Sequence, residues 1–380
     1  MQGKLNNLQA AKRELWPLKK LSNILFLFLA LGGGVLLGLV MSLHVMGYFG
    51  DGSLLQSFSG AAPSQQQRQR AVHAHVISTK EHGFEPFHDH NMPDEELLWR
   101  ASMFPHRPGI PIPRTPKVAF LFLTVGPLPL GPLWERFFHG HEKLFNIYVH
   151  SLPGFEPDHA RSSVFFGRHI PSQETKWGDI SMCDAERRLL ANALLDYENE
   201  RFVLLSESCA PLWNFTFTYD YLINSHHSFI GVFDDPGPFG RGRYSEPMLP
   251  EVTLGNWRKG SQWFEVNREL AIYIVSDTIY YPKFREFCKP ICYVDEHYLP
   301  TMMFIQFAAH LANRSVTAVD WSRGGSHPGI YGHEDAVQYV DGMRGDQSCM
   351  YNGEPGHICF LFARKFSPNS LEPLLQHSTF

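Results

Sequence analysis

Outside one segment the chain has no apolar run long enough to cross a bilayer, a crossing that takes about 20 apolar residues. Positive charge is not in excess either. With 33 lysines and arginines against 38 aspartates and glutamates the net charge is −5, which argues against a nucleic-acid or other polyanion partner. No G-x-G-x-x-G or P-loop spacing occurs, so the two common glycine-rich phosphate cradles are excluded, and no internal repeat points to a solenoid or propeller. Cysteine is limited to Cys183, Cys209, Cys288, Cys292, Cys349 and Cys359. The even number fits disulfides formed in an oxidising compartment, buried free thiols being the alternative, and sequence does not choose among the pairings.

The one long apolar run is Leu21–Phe49, LSNILFLFLALGGGVLLGLVMSLHVMGYF. Lys4, Lys12, Arg13, Lys19 and Lys20 precede it against Glu14 alone, and the first charge beyond it is Asp51, so the asymmetry keeps the N-terminus cytoplasmic and sends the rest to the lumen. A cleaved signal peptide ending near Ser59-Gly-Ala-Ala62 is the competing reading, although signal h-regions usually run about 7–15 residues. Two sequons, Asn214-Phe-Thr216 and Asn313-Arg-Ser315, offer lumenal glycosylation sites. The expected organisation is a cytoplasmic tail at 1–20, a signal anchor at 21–49, a polar and then proline-rich stem at 50–116, and a lumenal domain at 117–380.

From Lys117 short apolar runs alternate with amphipathic segments, the pattern of an α/β domain. Val118–Thr124, Phe145–Val149, Arg201–Ser206, Phe229–Phe233, Ser315–Val319 and Ile358–Ala363 read as strands. LWERFFHGHEKL, Trp263–Ser276 and Glu296–Ala312 read as helices, as does the segment carrying Met182, Ala185, Leu189, Ala193 and Tyr197, with Ser181-Met-Cys-Asp184 as its capping box.

A lumenal α/β domain behind a short tail, one anchor and a stem is the layout of a Golgi glycosyltransferase, which is analogy rather than chemistry. The chemistry starts at Arg201–Ser208. A strand ends there where a nucleotide-sugar transferase commonly presents Asp-x-Asp to a metal, but the triplet is Ser206-Glu207-Ser208. One carboxylate is little for a hard divalent cation on a diphosphate. Asp234-Asp235 is the substitute, yet followed by Pro236-Gly237 it reads first as a turn. Without a metal, fixed cations must stabilise the leaving diphosphate. Arg364 and Lys365, ending the last apolar run, and Arg344 upstream are the candidates; the plain alternative is a solvated strand end.

For the acid–base role the candidate is Glu296 in Cys292-Tyr-Val-Asp-Glu-His-Tyr, with Asp295 as a substitute; a structural reading makes both helix N-terminal charges. Trp257, Trp263 and Trp321 offer indole faces for sugar or acceptor contact, or simply fill core, and Asp295 is a further candidate for that contact.

Together FLFLTVGPLPLGPLWERFF, IPSQETKWGDISMCDAERRLLANALLD, ERFVLLSESCAPLWNFTFTY, WRKGSQWFEVNRELA, CYVDEHYLPT, VDWSRGGSHP and CFLFARKFSP resemble the plant branch of the core-2/I-branching β-1,6-N-acetylglucosaminyltransferases, glycosyltransferase family 14. The resemblance spans roughly Lys117 to Leu375 and implies a GT-A-like α/β fold, an inverting mechanism, a UDP-sugar donor, a glycan acceptor, and no metal or other cofactor. It places the catalytic glutamate on Glu296, the diphosphate lysine on Lys365 and the acceptor-side tryptophan on Trp321, with Arg344 as the partner arginine. Thr124 and Val125, in the loop after the first strand, and Glu207 complete the expected donor side. N-acetylglucosamine is the first donor expected, with glucuronic acid and xylose as alternatives. The rival is a catalytically silent Golgi carbohydrate-binding or scaffold protein with the same fold, which would have no use for a general base.

Overall fold

The computed structural model describes residues 90–103, 113–289, 292–325, 327–345 and 347–377. The expected tail and anchor, and most of the expected stem, lie outside them. Among the described residues no helix is long and apolar enough to cross a membrane.

In chain order the elements begin with α1 (Asp94–Ala101), β1 (Lys117–Leu123), α2 (Gly131–Phe138), β2 (Phe145–His150), α3 (Ser181–Leu194) and β3 (Asn199–Ser206). Next come β4 (Ala210–Pro211), α4 (Phe215–Ile223), β5 (Glu265–Asn267), α5 (Arg268–Ser276), α6 (Tyr280–Phe287) and α7 (Tyr298–Phe307). The chain continues through β6 (Thr317–Val319), α8 (His333–Arg344), β7 (Cys349–Tyr351), β8 (Glu354–Gly356), β9 (Phe362–Arg364) and α9 (Leu371–His377).

The main sheet has the order β2-β1-β3-β5, parallel except for β5. Its central strand explains the long apolar run KVAFLFL: a strand covered on both faces needs no polar alternation. Successive side chains point to opposite faces. Ala119, Leu121 and Leu123 enter one core with α3, α5 and α7, while Val118, Phe120 and Phe122 enter a second with α2, α4 and α8. The second core is aromatic: Phe120 meets Phe138 edge-on at 4.9 Å and Phe137 at 5.9 Å. A smaller sheet, β4-β9-β6, carries β9 parallel to β6, so that the residues following both strands emerge side by side.

Several boundaries differ from the sequence expectation, each for a local reason. Trp263–Ser276 is not one helix. Glu265 pairs Phe229 and lies buried in a two-bonded ion pair with Arg201, which fixes Glu265–Asn267 as β5, and the helix starts only where the Asn267 side chain accepts from the Leu270 amide. Phe229–Phe233 is not a strand; it makes isolated bridges to Glu265 and Lys259. The helix expected from Glu296 begins at Tyr298, preceded by a 3-10 turn, Val294–Glu296. Ser181 is not an N-cap: its hydroxyl accepts from the Lys176 amide, and Tyr197 falls beyond the helix end and is exposed. The helix in LWERFFHGHEKL stops at Phe138, two residues before Gly140 with φ +82°.

Folded structure also reaches upstream of Lys117, into the segment read as stem. Leu97 and Ala101 of α1 are buried in the first core, and the Arg188 guanidinium grips Asp94 through Nε, at 2.8 Å, and Nη2. Cysteine usage is divided: Cys288–Cys292 and Cys349–Cys359 are disulfides, while Cys183 and Cys209 are buried thiols.

Candidate active site

The carboxyl ends of β1, β3, β6 and β9 open into a cleft of about 1480 Å³. Such edges are where open α/β sheets bind ligands. Of the residues singled out in the sequence, the cleft gathers Thr124, Val125, Glu207, Trp263, Asp295, Glu296, Trp321, Arg364 and Lys365.

The strand-end wall is built by regular pairing. Thr124 and Val125 follow β1; the Thr124 hydroxyl donates to the Gly126 carbonyl, and Val125 is exposed. After β3, Ser206 and Ser208 bond to one another through their hydroxyls at 3.0 Å, leaving Glu207 as the carboxylate of the triplet. Arg364, ending β9, lies 4.0 Å over the Trp263 ring. Burial lowers its proton affinity, but a guanidinium stays charged. Lys365 is placed by backbone bonds on both sides: its carbonyl accepts from Tyr331, and the next amide, Phe366, donates to the Ser208 carbonyl. Its ammonium has no ion-pair partner among the described residues.

The opposite wall is built from loops. The Glu296 carboxylate is 2.9 Å from Arg243 Nη1 and 3.7 Å from Lys259 Nζ. Gly260 donates its amide to the Glu296 carbonyl, and a Cβ there would lie 2.1 Å from the Gly231 carbonyl oxygen. Only glycine lets the Lys259 segment pack this close while holding Glu296. Arg243 is itself steadied by the Tyr293 ring, 4.4 Å away. His297, fully buried, bonds through Nδ1 to the Arg258 carbonyl, and burial pushes it down to about 4, so it is neutral and its Nδ1–H donates.

Not every expected residue offers itself to a ligand. Trp257 is core: it is 1% exposed, stacks on Phe284 and His297 and donates to the Gly240 carbonyl, so it offers no face to a sugar. Arg344 closes α8 away from the cleft, donating to the Leu212 carbonyl with its guanidinium 5.9 Å from the Trp213 ring. Trp263 borders the cleft but is 6% exposed with Arg364 over its ring, so it offers no open face to a sugar, whereas Trp321 is half exposed there. Asp295 is 7% exposed, too buried for an open sugar contact. Asp234 is held by Arg241 at 2.8 and 2.7 Å, and Asp235 accepts from the Gly237 amide in the expected turn. Among the described residues no three His, Cys, Asp or Glu side chains converge as a metal donor set. Asn214 is exposed and caps α4 by accepting from the Phe217 amide; Asn313, also exposed, accepts from the Val232 amide.

Sequence reasoning missed Arg243, Tyr293 and Trp177. Arg243 sits in Phe239-Gly-Arg-Gly-Arg-Tyr, which reads as a solvated loop, and its carboxylate partner is 53 positions away. Trp177 is 59% exposed, borders the cleft and meets Tyr293 edge-on at 5.0 Å; an exposed indole in a hollow is visible only in three dimensions.

Residues 118–341 match the family model described as Core-2/I-Branching enzyme. Over 302 residues the chain is 38% identical to "Glycosyltransferase BC10" of Oryza sativa subsp. japonica, an alignment covering 67% of this chain and 75% of that protein.

Proposed function

The chain belongs to the core-2/I-branching enzyme family and is therefore a glycosyltransferase, taking a nucleotide-sugar donor and a glycan acceptor, and we propose that it inverts the anomeric centre with Glu296 as base and without a metal. The observation that carries this reading is a single cleft holding an ion-paired carboxylate, Glu296, together with a cation, Lys365, that has no carboxylate partner among the described residues.

In the proposed step Glu296 takes the acceptor hydroxyl proton as that oxygen attacks the anomeric carbon. The bond from that carbon to the diphosphate breaks, and the electron pair leaves on the nucleotide. Lys365 and Arg364 stabilise the growing charge on the phosphates, the role a divalent ion fills where carboxylates supply one. The loop at Thr124–Val125 receives the uridine, and Trp321 lines the acceptor side. UDP-N-acetylglucosamine is the first donor to test, UDP-glucuronic acid and UDP-xylose the next. We place the enzyme in the Golgi membrane as a single-pass type II protein, anchored through 21–49 with the domain and both sequons lumenal; the basic flank before the apolar run supports that orientation.

The test is UDP release by the detergent-solubilised full chain against a panel of UDP-sugars, with and without EDTA. One donor should be turned over, and turnover should persist in EDTA. Strict manganese dependence, restored after chelation, would overturn the metal-free mechanism and turn attention to Asp234 and Asp235.

A further inference from the structure

A carboxylate that must take up a proton is here clamped by two cations. Arg243 and Lys259 surround the Glu296 carboxylate with positive charge. Something has to offset them. The preceding residue, Asp295, shares the same 3-10 turn, is 7% exposed, and has its Oδ1 buried with no hydrogen-bond partner among the described residues. Arg243 and Lys259 bond to Glu296 and not to it.

The remaining groups around Asp295 carry no compensating charge. Glu186 projects from α3, 2% exposed, with Oε1 accepting from Gln262 Nε2 at 2.9 Å; burial, and then the charge of Asp295, hold it well above the usual carboxylate range, so it keeps its proton. On the same helix burial pushes the Cys183 thiol up, leaving it neutral. His297 on the other side is neutral as well. Arg243 is the cation that acts on Asp295, and Glu296 is the anion.

We propose that Asp295 tunes the site of the base: its buried carboxylate, one residue from Glu296 and with Oδ1 unpartnered among the described residues, offsets the positive charge that Arg243 and Lys259 place around Glu296 and so favours removal of the acceptor hydroxyl proton. This rests on Glu296 being the base. Asp295 touches no reacting atom; it is a positioning residue acting through charge, and neither a substitute base nor a sugar contact. Burial, and then Glu296, push it up to about 6. Its tuning charge is therefore absent on the acid side of that value and present on the alkaline side.

The experiment compares the full chain with Asp295→Asn, an isosteric change, measuring UDP release at saturating donor from about pH 5 to about pH 8. The wild-type rate should step upward through a pH near 6, and the variant should lack that step. The two rates should be equal near pH 5 and differ about 3–10-fold near pH 8, with donor KM unchanged. A merely structural loss would lower the rate by one factor at every pH, and that result, or an Asp295→Asn profile matching the wild type, overturns the proposal. If the variant loses UDP binding through misfolding, the wild-type profile decides by itself, since a rate without an inflection near 6 contradicts a titrating tuner. Near-normal turnover by Glu296→Gln would instead refute the assignment of the base.

Discussion

The two walls of the cleft handle charge in opposite ways. On the strand-end wall Lys365 has no carboxylate partner among the described residues, and Arg364 leans on an indole; on the loop wall Arg243 and Lys259 share the Glu296 carboxylate. A cation left unpaired in a cleft is ready for an external anion, whereas an internally paired set holds a catalytic group in place. On the proposed function, diphosphate binding belongs to the strand ends and proton transfer to the loops.

The largest effect should come from breaking the loop wall at its centre. Glu296→Gln keeps size and hydrogen bonding and removes the base, so turnover should fall by about 10²–10⁴-fold. Near-normal UDP release by this variant would dissolve the division between the walls. Next in size is Lys365→Ala, expected to slow transfer and to raise donor KM by about 10-fold or more, because the ammonium meets the phosphates before and during bond breaking. An unchanged donor KM would mean that the unpaired cation serves something else.

A sharper contrast uses two cations that looked alike in the sequence. Arg344→Ala should leave donor KM within about twofold of wild type, since Arg344 is spent on the Leu212 carbonyl and Trp213. Its cost should appear as about 1 kcal/mol of stability in urea denaturation, the loss of one partly buried hydrogen bond. A donor KM matching that of Lys365→Ala would return Arg344 to the diphosphate.

How far each wall was legible follows from how it is built. Lys365, Arg364, Glu207, Thr124 and Val125 each follow an apolar run, and the end of a buried strand can be read from one stretch of chain. Glu296 was legible as a residue, but its setting was not: the 3-10 turn and the grip of Arg243 depend on a contact across 53 positions. Trp257 was misread because an indole beside a glycine and two cations has no sequence mark that separates a sugar platform from a core residue; its burial against Phe284 and His297 decides that. The strand expected at Phe229–Phe233 failed for a related reason. Its partners are single residues in other loops, and Gly231 accommodates the close approach of Gly260 rather than a ladder.

The smallest expected effect comes from two buried histidines, one on the loop wall and one outside the cleft. His150 ends β2 and His297 follows Glu296; each is fully buried and pushed down to about 4, mainly by burial. A histidine whose folded value is depressed contributes stability that is present above its ordinary value of about 6.5 and lost as pH falls toward the folded one. That loss is expected between about pH 6.5 and about pH 4, opposed by Asp295, Glu186 and Glu265, whose values burial raises and which therefore gain stability as pH falls. The histidine share is isolated by His150→Gln, whose melting temperature should fall less than that of wild type over the window; an equal change in both proteins would show that His150 is not held neutral.

The division between the walls is tested most directly by UDP affinity, measured by calorimetry on the wild-type full chain, Glu296→Gln and Lys365→Ala. UDP should bind Glu296→Gln as tightly as wild type and Lys365→Ala about 10-fold or more weakly, since one loses a proton acceptor and the other a charge-assisted contact to phosphate. Equal affinity for all three proteins, or a loss confined to Glu296→Gln, would contradict the account.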